Sequence, residues 1–391
     1  MTTNLLSDYG YVSMNHVGEV LCGDFVTVSK LPNDSMVMVL ADGMGSGVKA
    51  NILSTLTSTM MSKMVGNEMD IADCIKTVIT TLPVSKDFGV SYATFSVVYV
   101  KENRWIQIYN YDNPTPFVIR DGKAWQPEYV VSEIHGKKIQ SCNFEAKIND
   151  SVFMMSDGVL YAGIGETLNF GWGLPQITKF AESIYEDSIS AKSLATYIID
   201  RSNNLYKGRP TDDVTCAVLK IRERKIINVM VGPSTNPEDD GKMVSLFLSR
   251  KGKHIVCGGT TASIVARYLD REIKAVSSDI GDEGIPPISR IEGIDLVTEG
   301  MITLNRVLEY ARDFADKNSR YFSWNYKNDG ASLISSILLE EATDIHFFMG
   351  CAVNAAHQNN SSLSITLKMK LMEELAEVLR KANKTVNLTY Y

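Results

Sequence analysis

Long apolar runs are missing from this chain. No stretch approaches the roughly 18–20 consecutive apolar residues that a membrane-spanning helix needs, so no membrane partner is expected. The first ten residues, MTTNLLSDYG, lack the basic and apolar regions of a secretory leader. A basic surplus is missing as well. Thirty-nine Lys and Arg stand against 46 Asp and Glu, a net charge of −7, which argues against nucleic acid as the main partner. Metal-type cysteine spacing is absent: the six cysteines, at 22, 74, 142, 216, 257 and 351, form no CxxC or CxxxH pattern. Several sit inside apolar runs such as VTCAVLKI, so they read as free, mostly buried thiols of a reducing cytoplasm.

What is present suits a soluble protein of two domains: 391 residues, 45% hydrophobic and 22% charged. MVMVLAD (36–42) reads as a buried strand. After it, Ile52, Leu56, Met60 and Met64 recur every four residues, a helical stripe expected to face the core. A second helix is expected over 71–82. Strands follow at 90–100, 104–112 and 116–125, the last with a hairpin turn at Asp121-Gly122. SVFMMSDGV (151–159) reads as another strand, 174–187 and 190–206 as helices, and 209–221 as a turn running into a strand. Helices beside many antiparallel-looking strands predict an α+β sandwich over residues 1–222. The charge run RERK (222–225) marks a boundary. Beyond it strands alternate with helices, which predicts a three-layer α/β, Rossmann-like domain over 223–391 with a largely parallel sheet.

The informative residues are carboxylates. Asp24 follows Gly in LCGDFVTV, Asp42 lies in VLADGMGSGVKAN, Asp157 in MSDGV, and Asp212 and Asp213 in RPTDDVT. A single Asp at a strand end is ordinarily a turn residue. Two Asp-Gly pairs after buried strands, plus Asp-Asp before a third, are a different matter, because carboxylates gathered at one end of a sheet repel one another. A divalent cation removes that repulsion, and an all-oxygen donor set selects Mg²⁺ or Mn²⁺ over zinc. The glycines after Asp42 suggest a phosphate loop as the competing reading. No Gly-Lys-Ser/Thr follows them, so Asp42 reads as a metal ligand with the Gly43 carbonyl beside it.

The ordered set GD, ADGMGSG, MSDG and TDDVT resembles the metal-dependent protein phosphatases, the 2C-like or PPM superfamily, and ADGMGSGVKANILSTL is most similar to the sporulation stage II protein E branch. The resemblance covers about residues 10–221. It implies two antiparallel sheets packed face to face with helices outside, and a binuclear Mn²⁺/Mg²⁺ centre. Asp42 would bridge both ions. The Gly43 carbonyl and Asp24, directly or through water, would serve one, and Asp157 and Asp212 the other. Asp213 stands where many relatives have Asn. The implied activity is hydrolysis of phosphoserine or phosphothreonine on a partner such as an anti-sigma-factor antagonist. It would proceed by direct attack of a metal-activated water, with Asp42, Asp157 and Asp212 as catalytic residues. Relatives in this branch often dimerise, so a homodimer is a further expectation. NYDNPTPF (110–117) departs from the family's NAGHPP-like segment, and no N-terminal Arg is placed to hold phosphate. His16 and His135 read as surface or packing residues. The alternative is a phosphatase-fold interaction module without strong catalysis.

The last third resembles nothing identifiable. In VCGGTTASIVARYL (256–269), the turn Gly258-Gly259-Thr260-Thr261 between strand and helix can bind a small anionic ligand. The plainer reading is a tight turn with Thr260 or Thr261 as N-cap. GPSTNPEDDGKMV (232–244) repeats the strand-loop-helix form, and MGCAVNAAHQNN (349–360) follows a third strand. The final helix, with Leu371, Leu375, Val378 and Leu379, is expected to pack into the core.

Overall fold

The computed structural model describes residues 4–81, 93–276, 288–352 and 361–391. The expectations for residues 82, 90–92, 277–278 and 353–360 lie outside them. The chain forms two compact units, Met1–Glu223 and Arg224–Tyr391.

In chain order, the first unit contains β1 (Leu5–Met14), β2 (Asp24–Leu31), β3 (Ser35–Gly43), α1 (Gly47–Gly66), α2 (Ile71–Thr81), β4 (Ala93–Lys101), β5 (Trp105–Tyr111), β6 (Phe117–Arg120), β7 (Lys123–Trp125), β8 (Val130–Ile134), β9 (Lys137–Glu145), β10 (Ser151–Met155), α3 (Asp157–Leu160), α4 (Leu174–Ile184), α5 (Ala191–Leu205) and β11 (Val214–Glu223). Two sheets result, ordered β1-β11-β10-β6-β7 and β2-β3-β4-β5-β9-β8, and all their pairings are antiparallel.

β3 explains why the sandwich closes. Its alternate residues Met36, Met38 and Leu40 meet Val152, Met154, Ala217 and Leu219 of the opposite sheet. The others, Val37, Val39 and Ala41, pack toward Met61 and Val65 of α1 and Ile75 and Val78 of α2. A strand covered on both faces needs an unbroken apolar run, which MVMVLA supplies. The far side of the first sheet is covered by α4 and α5 through Ile177, Leu194 and Ile198.

Two expectations change. Ile52 and Leu56 are 51% and 43% exposed, and Met60 and Met64 are half-buried. Small residues face the sheet instead: Ala50, Ser54, Thr57, Ser58 and Ser62 are buried. Thr27 Oγ1 donates to Ser58 Oγ and Ser62 Oγ to Ser29 Oγ, both at 2.9 Å. These short side chains bring the helix close to β2, so Ile52 and Leu56 of the expected stripe point away from the packed face, while Met61 and Val65 lie on it. The strand expected over 151–159 ends at Met155, and Asp157 opens a helical turn. The Asp121-Gly122 hairpin forms, with φ of 52° and 72°.

The second unit contains β12 (Ile226–Val231), α6 (Asp240–Ser249), β13 (Lys253–Cys257), α7 (Gly259–Leu269), β14 (Lys274–Ala275), β15 (Ser289–Arg290), β16 (Leu296–Thr298), α8 (Met301–Ala315), α9 (Tyr321–Trp324), α10 (Gly330–Ser335), a π-helical turn (Ser336–Glu341), β17 (Asp344–Met349), α11 (Ser361–Lys381) and β18 (Thr385–Tyr390). Its sheet runs β14-β15-β16-β13-β12-β17-β18, and β16, β13, β12, β17 and β18 are parallel. Met230, Val256 and Phe348 meet α6 and α7 through Met243, Phe247 and Val265. In α11, Leu371, Leu375, Val378 and Leu379 are buried as expected.

One buried cation in the first unit gives a stability test. Lys220, on β11, is fully buried, and its Nζ donates to the carbonyls of Glu186, Asp187 and Ile189 at 3.0, 3.1 and 2.9 Å. Lys220→Met should strand those carbonyls and lower unfolding free energy by about 2–4 kcal/mol, measured by urea titration.

Candidate metal centre

Four chain segments deliver the five carboxylates. Antiparallel pairing of β2 with β3 sets Asp24 directly opposite Asp42. Asp157 is the first residue of α3, immediately after β10. Asp212 and Asp213 lie in the loop that leads into β11. The last two segments are tied together: Ser156 N donates to Thr215 O at 3.0 Å, and Thr215 N to Ser156 Oγ at 2.9 Å.

Glycines permit the close approach. A Cβ on Gly43 would collide with the backbone of Ala50, and one on Gly158 with the carbonyl of Asp213. A Cβ on Gly23 would come within 2.6 Å of Asp213 Oδ2. Gly43 and Gly158 are therefore needed because the segments pack at backbone distance there.

Asp24 and Asp213 are buried, and Asp42, Asp157 and Asp212 are half-buried. Burial raises the pKa of Asp42, and Asp24, Asp157, Asp212 and Asp213 add repulsion. Burial also raises Asp24, against the Ser156 and Thr215 hydroxyls beside it, and Asp213 and Asp212 push the same way. Burial first, and Asp212 second, raise Asp157; burial raises Asp212 against the hydrogen bond from the Asp213 N–H, and Asp213 adds repulsion. Asp42 thus feels all four of the other predicted carboxylates. Gly43 lies at the end of β3, its N–H donating to Gly23 O at 3.2 Å.

Whether these residues suit a cation can be judged from their unpaired oxygens. Both carboxylate oxygens of Asp24, and Oδ2 of Asp213, are buried with no hydrogen-bond partner of ordinary geometry. The Ser156 and Thr215 hydroxyls direct their hydrogen bonds to Asp213 O and Ser13 Oγ. Buried, unpaired carboxylate oxygen is costly unless neutralised, and oxygen-only donors fit a hard divalent ion. Among the described residues no three His, Cys, Asp or Glu side chains already close around one point at coordinating distance. The donor set fits by chemistry, and ligation would require the acids to draw in.

His16 was set aside on sequence, but the structure brings it to this cluster. Its backbone N–H donates to Asp213 Oδ1 at 3.0 Å, its Nδ1 is buried without a partner, and its charge would favour ionised Asp212. Its one sequence signal is position, eight residues before Asp24 in the same loop. Glu19 of that loop accepts from Ser46 Oγ at 3.2 Å, at the entrance to α1. His135 lies in the exposed β8–β9 turn.

Residues 32–222 match the family model described as stage II sporulation protein E (SpoIIE). The first unit is a SpoIIE-family domain. No curated protein matches the chain. Among solved structures, the PP2C phosphatase domain of SpoIIE from Bacillus subtilis, with a fragment of its regulatory domain, is 18% identical, with a TM-score of 0.48 over 56% of this chain and 64% of that one. The RsbU and RsbW domains of a Mycobacterium tuberculosis protein are 18% identical, with a TM-score of 0.43 over 56% and 60%. The catalytic domain of the serine/threonine phosphatase PstP, solved with two manganese ions, is 15% identical, with a TM-score of 0.41 over 56% and 99%. The chain therefore spans less than two thirds of the first two.

The predicted anion turn belongs to the second unit. Gly258, with φ of 106°, is the N-cap of α7, and no side chain caps that helix. This corrects the expectation of Thr260 or Thr261 as cap. Gly259 and Thr260 are exposed, whereas Thr261 is buried and its Oγ1 accepts from Gly232 N at 2.8 Å. Thr261 is spent on the fold. Among the described residues no helix is long and apolar enough to cross a membrane.

The raised carboxyl pKa values of the SpoIIE-family domain fix a sign. An Asp whose folded pKa lies above its unfolded value near 4 contributes stability at low pH that is lost as pH rises through the folded value. With divalent ions chelated, Tm should fall between pH 5.5 and 8.5, and added Mn²⁺ or Asp42→Asn should flatten that slope. Thermal unfolding at three pH values checks this, and a slope unchanged by both would mean the acids do not repel.

Proposed function

We propose that the first unit is a cytoplasmic serine/threonine protein phosphatase that hydrolyses phosphoserine or phosphothreonine on a partner protein. The observation that carries this reading is the gathering of five mutually repelling carboxylates, with unpaired buried oxygens, at one end of a SpoIIE-family sandwich. Asp24, Asp42, Asp157, Asp212, Asp213 and the Gly43 carbonyl would hold two Mn²⁺ or Mg²⁺ ions. When bound, these ions supply charge neutralisation and Lewis-acid polarisation of the phosphoryl oxygens.

The chain's own residues then set the course of the reaction. Asp213 is held through Oδ1 by the His16 N–H, so Oδ2 remains to accept from a water. Burial, then Asp24 and Asp213, push the Cys22 thiol far up, which disfavours a thiolate nucleophile there. Direct transfer to water follows. The water oxygen bonds to phosphorus and gives up a proton, the P–O bond to the serine or threonine breaks, and the leaving oxygen takes up one proton in exchange, so that the products are the free hydroxyl and inorganic phosphate.

Hydrolysis of p-nitrophenyl phosphate and a phosphoserine peptide tests this after EDTA treatment and re-addition of Mn²⁺ or Mg²⁺. Activity should return with either ion and fall by at least about a hundredfold in Asp42→Asn. Equal activity in Asp42→Asn and wild type would place any chemistry elsewhere. No activity with any ion would favour the interaction-module reading.

A further inference from the structure

The segment NYDNPTPF (110–117), which departs from the NAGHPP-like form, contributes to a polar row that the proposed reaction leaves unused. β3 and β4 pair so that Thr94 lies directly opposite Asp42, as Asp24 does on the other side. Residues opposite each other in an antiparallel pair share a face, with Cβ atoms about 5 Å apart. Two residues along, Ser96 lies opposite Leu40 and opposite Asn110 of β5 on that same face. Leu40 packs between the two sheets, so the row lies on the inner face of the sandwich, at the end that holds the acids. Ser96, Asn110 and Asn113 are buried, and Asp42 and Thr94 are half-buried.

The direction of each hydrogen bond in the row is fixed by one backbone group. Asn110 Nδ2 donates to the carbonyl of Asn113 at 2.8 Å. A carbonyl only accepts, so the amide nitrogen is held on that side and Oδ1 is turned to Ser96. Ser96 Oγ donates to that oxygen at 2.6 Å. With its hydrogen committed, Ser96 Oγ accepts from Asn113 Nδ2 at 3.2 Å. Asn113 Oδ1 is then turned to Thr94, whose Oγ1 donates to it. Asn110 Nδ2 also donates to Gln140 Oε1 at 3.0 Å. Donation therefore runs from Thr94 through Asn113, Ser96 and Asn110 to Gln140, away from Asp42 throughout.

A threonine hydroxyl has one hydrogen and two lone pairs, and Asn113 holds the hydrogen. Among the described residues no donor reaches Thr94 Oγ1. It therefore offers only lone pairs, at a half-exposed position beside Asp42. The phosphoryl group of a phosphoserine near neutral pH is itself an acceptor. Of the two reacting groups, water alone has a hydrogen to give this oxygen.

We propose that Thr94 Oγ1 accepts a hydrogen bond from the attacking water, and that Asn113 is the positioning residue that keeps the threonine hydrogen turned away. This rests on the phosphatase reading above. A water whose hydrogen is held on the β4 side keeps a lone pair free for phosphorus. Thr94 orients the water and does not take its proton, because a neutral hydroxyl is too weak a base. The bonds made and broken remain those of the hydrolysis already described.

Steady-state hydrolysis of a phosphoserine peptide by the full chain with Mn²⁺ tests this, beside calorimetric titration of each variant with Mn²⁺. Thr94→Val should lower kcat about tenfold at unchanged KM and unchanged Mn²⁺ affinity, and Thr94→Ser should restore kcat to within about threefold. Thr115→Val, which loses a hydrogen bond to the same Gln140 at the outer end of the row, should leave kcat as in wild type. An unchanged kcat in Thr94→Val, no rescue by Thr94→Ser, or a loss shared by Thr115→Val or matched by weaker Mn²⁺ binding overturns the proposal and leaves the phosphatase reading standing. A wild type inactive with every ion overturns that reading and this one together. Should Thr94→Val fail to fold, Thr94→Cys decides by the same measurements. Its thiol can still donate to Asn113 but accepts weakly, so kcat should again fall at unchanged KM, and an unchanged kcat overturns the proposal.

Discussion

Mutual repulsion among carboxylates governs the first unit. Asp24, Asp42, Asp157, Asp212 and Asp213 come from four separate segments and meet where water is largely excluded. Left to themselves they oppose the fold that gathers them. The surrounding structure answers with stiff, apolar strands that leave the acids no alternative position. β3 is covered on both faces, and β10 and β11 are locked by the Ser156–Thr215 hydrogen bonds. Carboxylates gathered in this way cost stability until they are neutralised, so a cation bound among them would stabilise the fold.

The glycines around the acids have the same origin. Gly23, Gly43 and Gly158 sit where backbone meets backbone or carboxylate, and a methyl group at any of them would separate the segments. The α1–β2 contact obeys a similar demand. Serine and threonine hydroxyls pair across it, and Ile52 and Leu56 of α1 are left toward solvent while Met61 and Val65 are buried. Close approach, more than hydrophobic burial, fixes the placement of this helix.

The second unit solves its problem differently. Its parallel strands end in loops that bond to each other, Ala352 N to Pro233 O and Gly350 N to Val231 O, and Lys368 Nζ donates to Gly350 O at the same point. Backbone carbonyls there compensate the ammonium, as the rule for buried charge requires.

The sequence by itself determined the acids. Asp-Gly after an apolar run and Asp-Asp before one are local patterns, because strand ends and turns are specified over a few residues. The strands 36–42 and 104–112 were legible for the same reason, as was the Asp121-Gly122 hairpin. Only the tertiary structure decided which face of α1 is buried, since side-chain size at a contact depends on how closely two elements approach. It alone brought His16 to Asp213, through a hydrogen bond across 197 positions of chain. It also spent Thr261 on Gly232 and set Lys368 beside two glycines from distant strands. No periodicity carries such contacts, because they arise from strand order, and strand order is a property of the packed sheet.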